Sequence, residues 1–209
     1  MIVRRRLLGL LLAGLVAGPV AARAAGSTAE RPVSELNDSL VTVMKAGPTA
    51  SFPRRYAMLA PVIESVFDLP GILRACVGPR WNALSGRDQI ELLDVFRRFT
   101  IASYVANFDD YDGERFELLP NSRAAGSDEV IGTRIVGASG RAVRIDYVMR
   151  READAWKAVD VLLDGTISRV AVQRSDFRGL LGDGPDASGL IGSLQQKVAD
   201  LSRGTLSAG

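Results

Sequence analysis

Apolar residues in the first half of the chain recur every three or four positions, which is the spacing of one face of an α-helix. A first helix is predicted to begin near Pro32 and to end at Gly47-Pro48. A second is predicted from Phe52-Pro53 onward, and Pro61 inside it should kink that helix or split it in two.

Two further helices are predicted before the pattern changes. Asp68 is placed to cap a short third helix, with Pro70 in its first turn and Gly78-Pro79 at its end. The segment 85–88 opens the longest helix, where Asp88 complements the positive N-terminal dipole. Its predicted inner stripe consists of Ile90, Leu93, Phe96, Thr100, Tyr104 and Phe108.

Strands are predicted after the turn-like residues 109–113, because the hydrophobic period there changes from helical to alternating. Two of them cover 115–119 and 129–136, with glycine-containing connections between strands. The segment Val143–Gly165 predicts a β-hairpin that turns at 151–154. Its first strand alternates apolar and polar residues; the apolar set is Val143, Ile145, Tyr147 and Met149.

The second strand of the hairpin is predicted to be covered on both sides, because both of its faces are largely apolar. Strict alternation places Val159, Val161 and Leu163 on one face. It places Asp160 on the other face, together with Trp156, Ala158 and Leu162.

Two helices are predicted to follow the hairpin. Ser168 is placed to cap the first, which carries Val170, Arg174, Phe177 and Leu181. After a break at 182–188, a last amphipathic helix covers 190–201. Helices, then strands, then helices is the order of an α+β domain, with both groups of helices packed on one curved, mainly antiparallel sheet of about four strands.

Residues 1–25 have the composition of a cleaved secretory signal peptide. Arg4, Arg5 and Arg6 precede an apolar run that is too short to span a bilayer, and Ala22-Arg23-Ala24 fits a cleavage site. A membrane anchor is the alternative. The 26 basic side chains of the chain include four in this segment, so the exported remainder is close to neutral and does not predict nucleic-acid binding.

The residues available for chemistry argue against most enzyme classes. The chain contains no histidine, which removes histidine-based triads and metal sites, and it has no phosphate-binding glycine loop. Its single cysteine, Cys76, lies in an apolar run and is predicted to be a small buried hydrophobe. Four acidic residues at 109–114 could hold calcium, but they lack EF-hand spacing and favour a solvated turn. We therefore expect neither a metal nor a cofactor.

Several short motifs stand close together in the second half of the chain. They are IDYVMR at 145–150, WKAVDV at 156–161, Asp164-Gly165, Ser168, and the Arg and Phe of 174–177, with Phe67-Asp68 and GPRW at 78–81 upstream. Together they resemble the MlaC or toluene-tolerance proteins, periplasmic lipid carriers of an ABC-type phospholipid transport system. The HpnM branch, associated with hopanoid-producing bacteria, fits the N-terminal half equally well.

The resemblance implies a single lipid-binding domain, residues 26–209, with an apolar cavity between helices and sheet. Such a protein would be a periplasmic monomer without enzymatic activity. It would carry phospholipid between an outer-membrane lipoprotein complex and an inner-membrane ABC transporter complex with its substrate-binding subunit. The expected tail contacts are Tyr56, Leu59, Phe67, Phe96, Tyr104, Phe108, Val143, Ile145, Tyr147, Val159, Val161 and Leu163. Arg174, which matches the arginine of the family, is the candidate for binding a headgroup phosphate.

Three alternatives remain open at this point. The ligand could be a hopanoid or another polycyclic lipid, or the core could be filled and the protein a periplasmic adaptor without a ligand. A pocket containing Tyr147 and Asp160 could also transfer protons on a sterol-like substrate. Alternation argues against the enzyme, because Asp146 and Asp160 fall on strand faces opposite Tyr147 and Val161.

Overall fold

Two groups of helices flank one sheet along the chain, so the order is helices, strands, helices. The structure is a computed structural model that describes residues 29–181 and 186–206. The predicted signal peptide, 1–25, and residues 182–185 of the predicted break lie outside the described residues. The predicted α+β class is confirmed.

Six α-helices are described, and they form most of the hydrophobic core. Their bounds are Glu30–Ala46 (α1), Phe52–Val66 (α2), Leu69–Val77 (α3), Gly86–Asn107 (α4), Arg169–Leu180 (α5) and Ser188–Leu201 (α6). Short 3₁₀ turns at Gly47–Thr49 and Gly78–Ala83 follow α1 and α3. Helix α4 packs chiefly against α6 and α2, so the helices make a layer of their own.

Three of the helix starts are capped by side chains. Asp68, Ser85 and Ser168 each accept a hydrogen bond from the backbone N–H three residues later, at 2.9, 3.1 and 2.9 Å. Each bond satisfies one N–H that would otherwise have no partner in the first turn. The predicted caps of α3 and α5 are therefore confirmed.

The second helix continues through its proline. Pro61 is exposed inside α2, which is one helix, so the split, one of the two predicted outcomes, does not occur. A proline removes one backbone donor from the helix. The buried side chains Leu59 and Ile63 on either side of Pro61 hold the helix together by packing.

The inner stripe predicted for α4 is wrong at its first residue. Ile90 is 74% exposed, whereas Leu92 is fully buried. The burial of Leu92, Val95 and Val105 defines a second apolar face, which faces the neighbouring helices. A helix that packs on two sides has too broad an apolar surface for one stripe to be read from its sequence.

The sheet contains six described strands in five positions. They are Arg115–Leu118 (β1), Arg123–Ala125 (β2), Asp128–Val136 (β3), Ala142–Glu152 (β4), Ala155–Leu163 (β5) and Ile167–Ser168 (β6). The order is β1-β3-β4-β5-β6, all antiparallel, and β2 pairs with the part of β3 that β1 leaves free. The four long strands match the predicted ones. Strands β2 and β6 were missed because two or three residues are too few to show alternation.

A β-bulge interrupts the pairing of β4 with β5. Tyr147 and Met149 lie on one face of β4, and their partners on β5 are Val161 and Ala158, so Val159 is an extra residue. Paired residues share a face of the sheet. Ala158 and Val161 therefore lie on the same face, and the strict alternation predicted for this strand is wrong.

Candidate functional site

A cavity of about 450 Å³ separates the inner face of the sheet from α3, α4 and α5. Strands β4 and β5 form its floor, and side chains of the three helices form its walls. Eight of the thirteen residues singled out from the sequence line it: Phe67, Phe96, Tyr104, Phe108, Ile145, Tyr147, Val161 and Leu163.

The helix wall of the cavity combines aromatic rings with small side chains. Thr100 and Ser103 lie on the cavity face of α4, among phenylalanines. Their hydroxyls donate to the carbonyl oxygens of Phe96 and Phe99 at 2.9 and 2.8 Å. Because these hydroxyls are satisfied within the helix, they leave room in the cavity without adding an unpaired polar group.

A chain of aromatic contacts runs along one side of the cavity. The ring of Phe67 lies 5.6 Å from that of Tyr104 and 6.4 Å from that of Tyr147. Tyr104 stacks on Phe108 at 5.9 Å, and Phe108 contacts Phe116 of β1 at 5.9 Å. These centroid distances are those of favourable aromatic pairs. The rings therefore join α2, α4 and the sheet across the edge of the cavity.

The hydroxyls of Tyr104 and Tyr147 bond to each other inside this aromatic region. Burial raises the pKa of both phenols, because the charged form would have to be desolvated. Both side chains therefore stay neutral, and the cavity gains no charge from them.

Asp160 lines the cavity together with Val161, although it pairs with Val148 on the face opposite Tyr147, as alternation predicts. Strand β6 pairs only with Leu162 and Leu163, so the edge of β5 is open at Asp160. Its carboxylate accepts hydrogen bonds from the Ser168 hydroxyl at 2.5 Å, the Val161 N–H at 2.7 Å and the Val170 N–H at 3.1 Å. Asp160 thus fastens the start of α5 to the sheet.

The outer face of the sheet carries a buried carboxylate that is paired with half-exposed arginines. Asp146 is fully buried and accepts two hydrogen bonds from Arg144, both at 2.9 Å, with Arg123 at 3.4 Å. The bidentate guanidinium satisfies both carboxylate oxygens. Gly165 has a φ of +72°, and a Cβ there would lie 2.8 Å from Nε of Arg144. The motifs Asp146-Tyr147 and Asp164-Gly165 are therefore close in the structure, and the position of Gly165 requires glycine.

The profile of the MlaC protein family matches residues 34–196. This chain belongs to the MlaC family. The match spans α1 to α6 and includes every residue that lines the cavity.

A solved structure with a similar fold is that of a phospholipid-binding protein from Ralstonia solanacearum, in complex with a phospholipid. The two chains superpose with a TM-score of 0.72 at 19% sequence identity, over 83% of this chain and 98% of the other. No curated protein sequence matches this chain significantly.

Four of the predicted apolar contacts lie away from the cavity lining of this MlaC chain. Leu59 is fully buried in the helical core, and Tyr56 is half-buried on α2. Val143 is 46% exposed at the start of β4. Val159 is the extra residue of the bulge and has no partner on β4, whereas Val161 pairs with Tyr147.

Arg174, the predicted headgroup ligand, also lies outside the cavity lining. Its guanidinium lies against Gly78, where an added Cβ would be 3.2 Å from Nη2. Gly78 ends α3 with a φ of +68°. Arg174 therefore contacts the C-terminal end of α3, where a cation is favourable.

Ten residues that line the cavity were not singled out from the sequence as ligand contacts. They are Leu69, Ile72, Phe99, Thr100, Ser103, Asn107, Asp160, Arg169, Val170 and Gln173. The predicted cap at Ser168 already placed Val170 on α5. Counting one turn from Arg169 would have added Gln173 to the same face.

The acidic turn between α4 and β1 uses its carboxylates within the turn. Asp110 accepts from the N–H of Tyr111 at 2.8 Å, and Glu114 accepts from the N–H of Asp112 at 2.7 Å. In the described part of the chain, no group of three or more potential metal ligands is placed to hold an ion. Among residues 29–181 and 186–206, no helix is both long and apolar enough to cross a bilayer.

Proposed function

We propose that this protein is a periplasmic phospholipid carrier. The observation that carries the proposal is the cavity between sheet and helices, lined by aromatic and aliphatic side chains. Its volume of about 450 Å³ is in the range of natural ligand sites. Membership of the MlaC family and the likeness in fold to a phospholipid-binding protein support a lipid as the ligand.

The proposed role is binding and release without catalysis. Exposing about thirty tail methylenes to water costs ~0.8 kcal/mol each, or roughly 25 kcal/mol for a two-tailed lipid. A protein that covers the tails removes this barrier to crossing an aqueous compartment. The carboxylate of Asp160 is occupied by three donors, which favours a structural role for it over proton transfer with Tyr147.

The proposed route runs between an outer-membrane lipoprotein complex and an inner-membrane ABC transporter complex with its substrate-binding subunit. Export through the signal peptide at 1–25 would place the remaining chain, a single domain, in the periplasm. The MlaC family match supports this route. Docking to either membrane complex would open the cavity and let the tails move into the partner.

Native mass spectrometry of residues 26–209, purified from the periplasm without detergent, tests the proposal, followed by lipid extraction of the same sample. We expect one phospholipid per protein. A hopanoid at the same stoichiometry would keep the carrier and change its ligand. A mass that stays ligand-free after incubation with phospholipid vesicles would overturn the proposal and favour the adaptor.

A further inference from the structure

The cavity lining contains one acidic and one basic side chain, Asp160 and Arg169. Asp160 is internally satisfied, because three donors of the β5–α5 region occupy its oxygens. Arg169 differs in this respect. Within the described residues it makes no salt bridge, although it lies close to the cavity's apolar walls.

The position of Arg169 in its helix is electrostatically unusual. It is the first residue of α5, whose first turn contains no acidic side chain. Helix N-termini carry a partial positive charge, so an arginine there adds like charge to like. A ligand anion at this place would interact favourably with both the guanidinium and the helix end.

The charge of Arg169 acts on the cavity interior as well as on solvent. Burial raises the pKa of Tyr104, and the positive charge of Arg169 partly opposes that rise. Yet Arg169 is itself exposed, so it lies where the cavity meets water. Gln173, one turn further along α5, also lines the cavity and accepts from the Cys76 thiol through Oε1. Its amide nitrogen is a second donor type on the same helix face.

We propose that Arg169 binds the anionic phosphate of the carried lipid and makes the protein selective for lipids with a charged headgroup. This inference rests on the proposed carrier function and deepens it. The ligand class is a phosphodiester joined to acyl tails: the tails occupy the cavity and the phosphate lies at Arg169. A neutral polycyclic lipid fills the apolar volume but leaves the guanidinium without a counter-charge.

Two other arginines of α5 provide internal comparisons. Arg174 lies against Gly78 at the end of α3, so its substitution also perturbs helix packing. Arg178 is exposed in the last turn of α5 and is not part of the cavity lining. Arg178 is therefore the matched control for the loss of one positive charge from this helix.

The test is competition between two lipids that have identical tails. Delipidated protein is incubated with vesicles containing equal amounts of phosphatidylglycerol and diacylglycerol, and the bound species are counted by native mass spectrometry. We expect wild type to prefer phosphatidylglycerol about tenfold, the size of one charge-assisted hydrogen bond. Arg169→Gln should take both lipids equally, Arg169→Lys should keep part of the preference, and Arg178→Gln should behave as wild type.

Melting temperatures of the variants, measured in parallel, confirm that each one is folded. An Arg169→Gln protein that is folded and keeps the full preference would overturn the assignment while leaving the carrier intact. Wild type that takes up neither lipid would overturn the carrier and the assignment together. Displacement of phosphatidylglycerol by inorganic phosphate would show a site for free phosphate and overturn the lipid assignment; we expect none.

Discussion

The two faces of the sheet differ in how closely their side chains are matched. On the inner face, Ile145, Tyr147 and Val161 lie beside open volume. On the outer face, the carboxylate of Asp146 is held at 2.9 Å by both arms of Arg144. Specific ionic contacts thus fill the outer face. On the inner face, the covering helices do not reach the sheet everywhere, and a cavity remains between them. The charged side chains of the outer face therefore stabilise the sheet, whereas the apolar side chains of the inner face line the candidate site.

The helices explain why the inner face stays open. Helix α4 packs mainly against α6 and α2, and the side chains that it turns toward the sheet include small ones, Thr100 and Ser103. Aromatic contacts bridge the gap at its edge, where Phe67 meets Tyr104 and Tyr147. These aromatic contacts keep α4 and the sheet apart at the edge of the cavity, so the core does not collapse into it.

The largest expected effect is on the outer face. Asp146→Ala should lower the free energy of unfolding by about 2 kcal/mol, because it removes the charged hydrogen bonds between a buried carboxylate and two half-exposed arginines. Urea denaturation measures the change. The matched control is Glu117→Ala, which removes a partly exposed ion pair to Arg134 at 2.7 Å.

We expect the control to cost less than about 1 kcal/mol, because exposed pairs contribute little. Equal effects of the two substitutions would contradict the proposed contrast between a buried, fully bonded carboxylate and a surface ion pair.

A smaller effect is expected on the inner face, and it concerns binding. Val161→Phe places a ring where lipid tails would lie, displacing about two methylenes at ~0.8 kcal/mol each and weakening phospholipid binding about tenfold. The melting temperature should change little, because the ring enters open volume. Retention of lipid by each variant, measured after vesicle incubation, checks this result.

The adjacent residue provides the control. Leu162 pairs with Asp146 on the outer face, so Leu162→Phe should leave lipid binding unchanged. Loss of lipid in Leu162→Phe, or full retention in Val161→Phe, would show that the cavity between helices and sheet is not the binding site.

The smallest expected effect comes from the tyrosine pair. Burial raises the pKa of Tyr104 and Tyr147 in the folded state, whereas an unfolded tyrosine ionises near pH 10. Their contribution to stability is therefore complete below about pH 10 and is lost as the pH rises toward the folded pKa values. Denaturation midpoints at pH 8 and pH 11 should show this loss of stability. In Tyr147→Phe, the free energy of unfolding should fall less steeply with pH, by at most about 1 kcal/mol per pH unit.

At pH 8, Tyr147→Phe removes one hydrogen bond and should cost only about 1 kcal/mol. An unchanged alkaline decline in this variant would show that Tyr147 does not remain protonated in the folded protein above pH 10.

Most elements were predictable because they depend on local patterns. The caps Asp68 and Ser168 and the long strands of the hairpin follow from residue type and period, and the structure confirms them. The family was also accessible, because its motifs lie in consecutive segments. An error arose where one residue changes the phase of a pattern: the extra residue Val159 puts Ala158 on the same face as Val161. Helix α2 also continues through Pro61 without a split.

Which arginine of α5 reaches the cavity also depends on tertiary structure. Arg174 carries the family motif, yet Arg169, five residues earlier, is the arginine that lines the cavity. Five residues correspond to more than one turn, so the two side chains leave α5 in different directions. Only the docking of α5 on α3 and β5 decides which of them reaches the cavity.

The sequence by itself determined the order of helices and strands, the MlaC family and the apolar character of the residues available to a site. The tertiary structure alone decided that a cavity exists and which residues line it. The physical reason is that hydrophobic periodicity specifies which face of an element is buried. The distance between two buried faces depends on how α4 is held by α2 and α6, which no local pattern encodes.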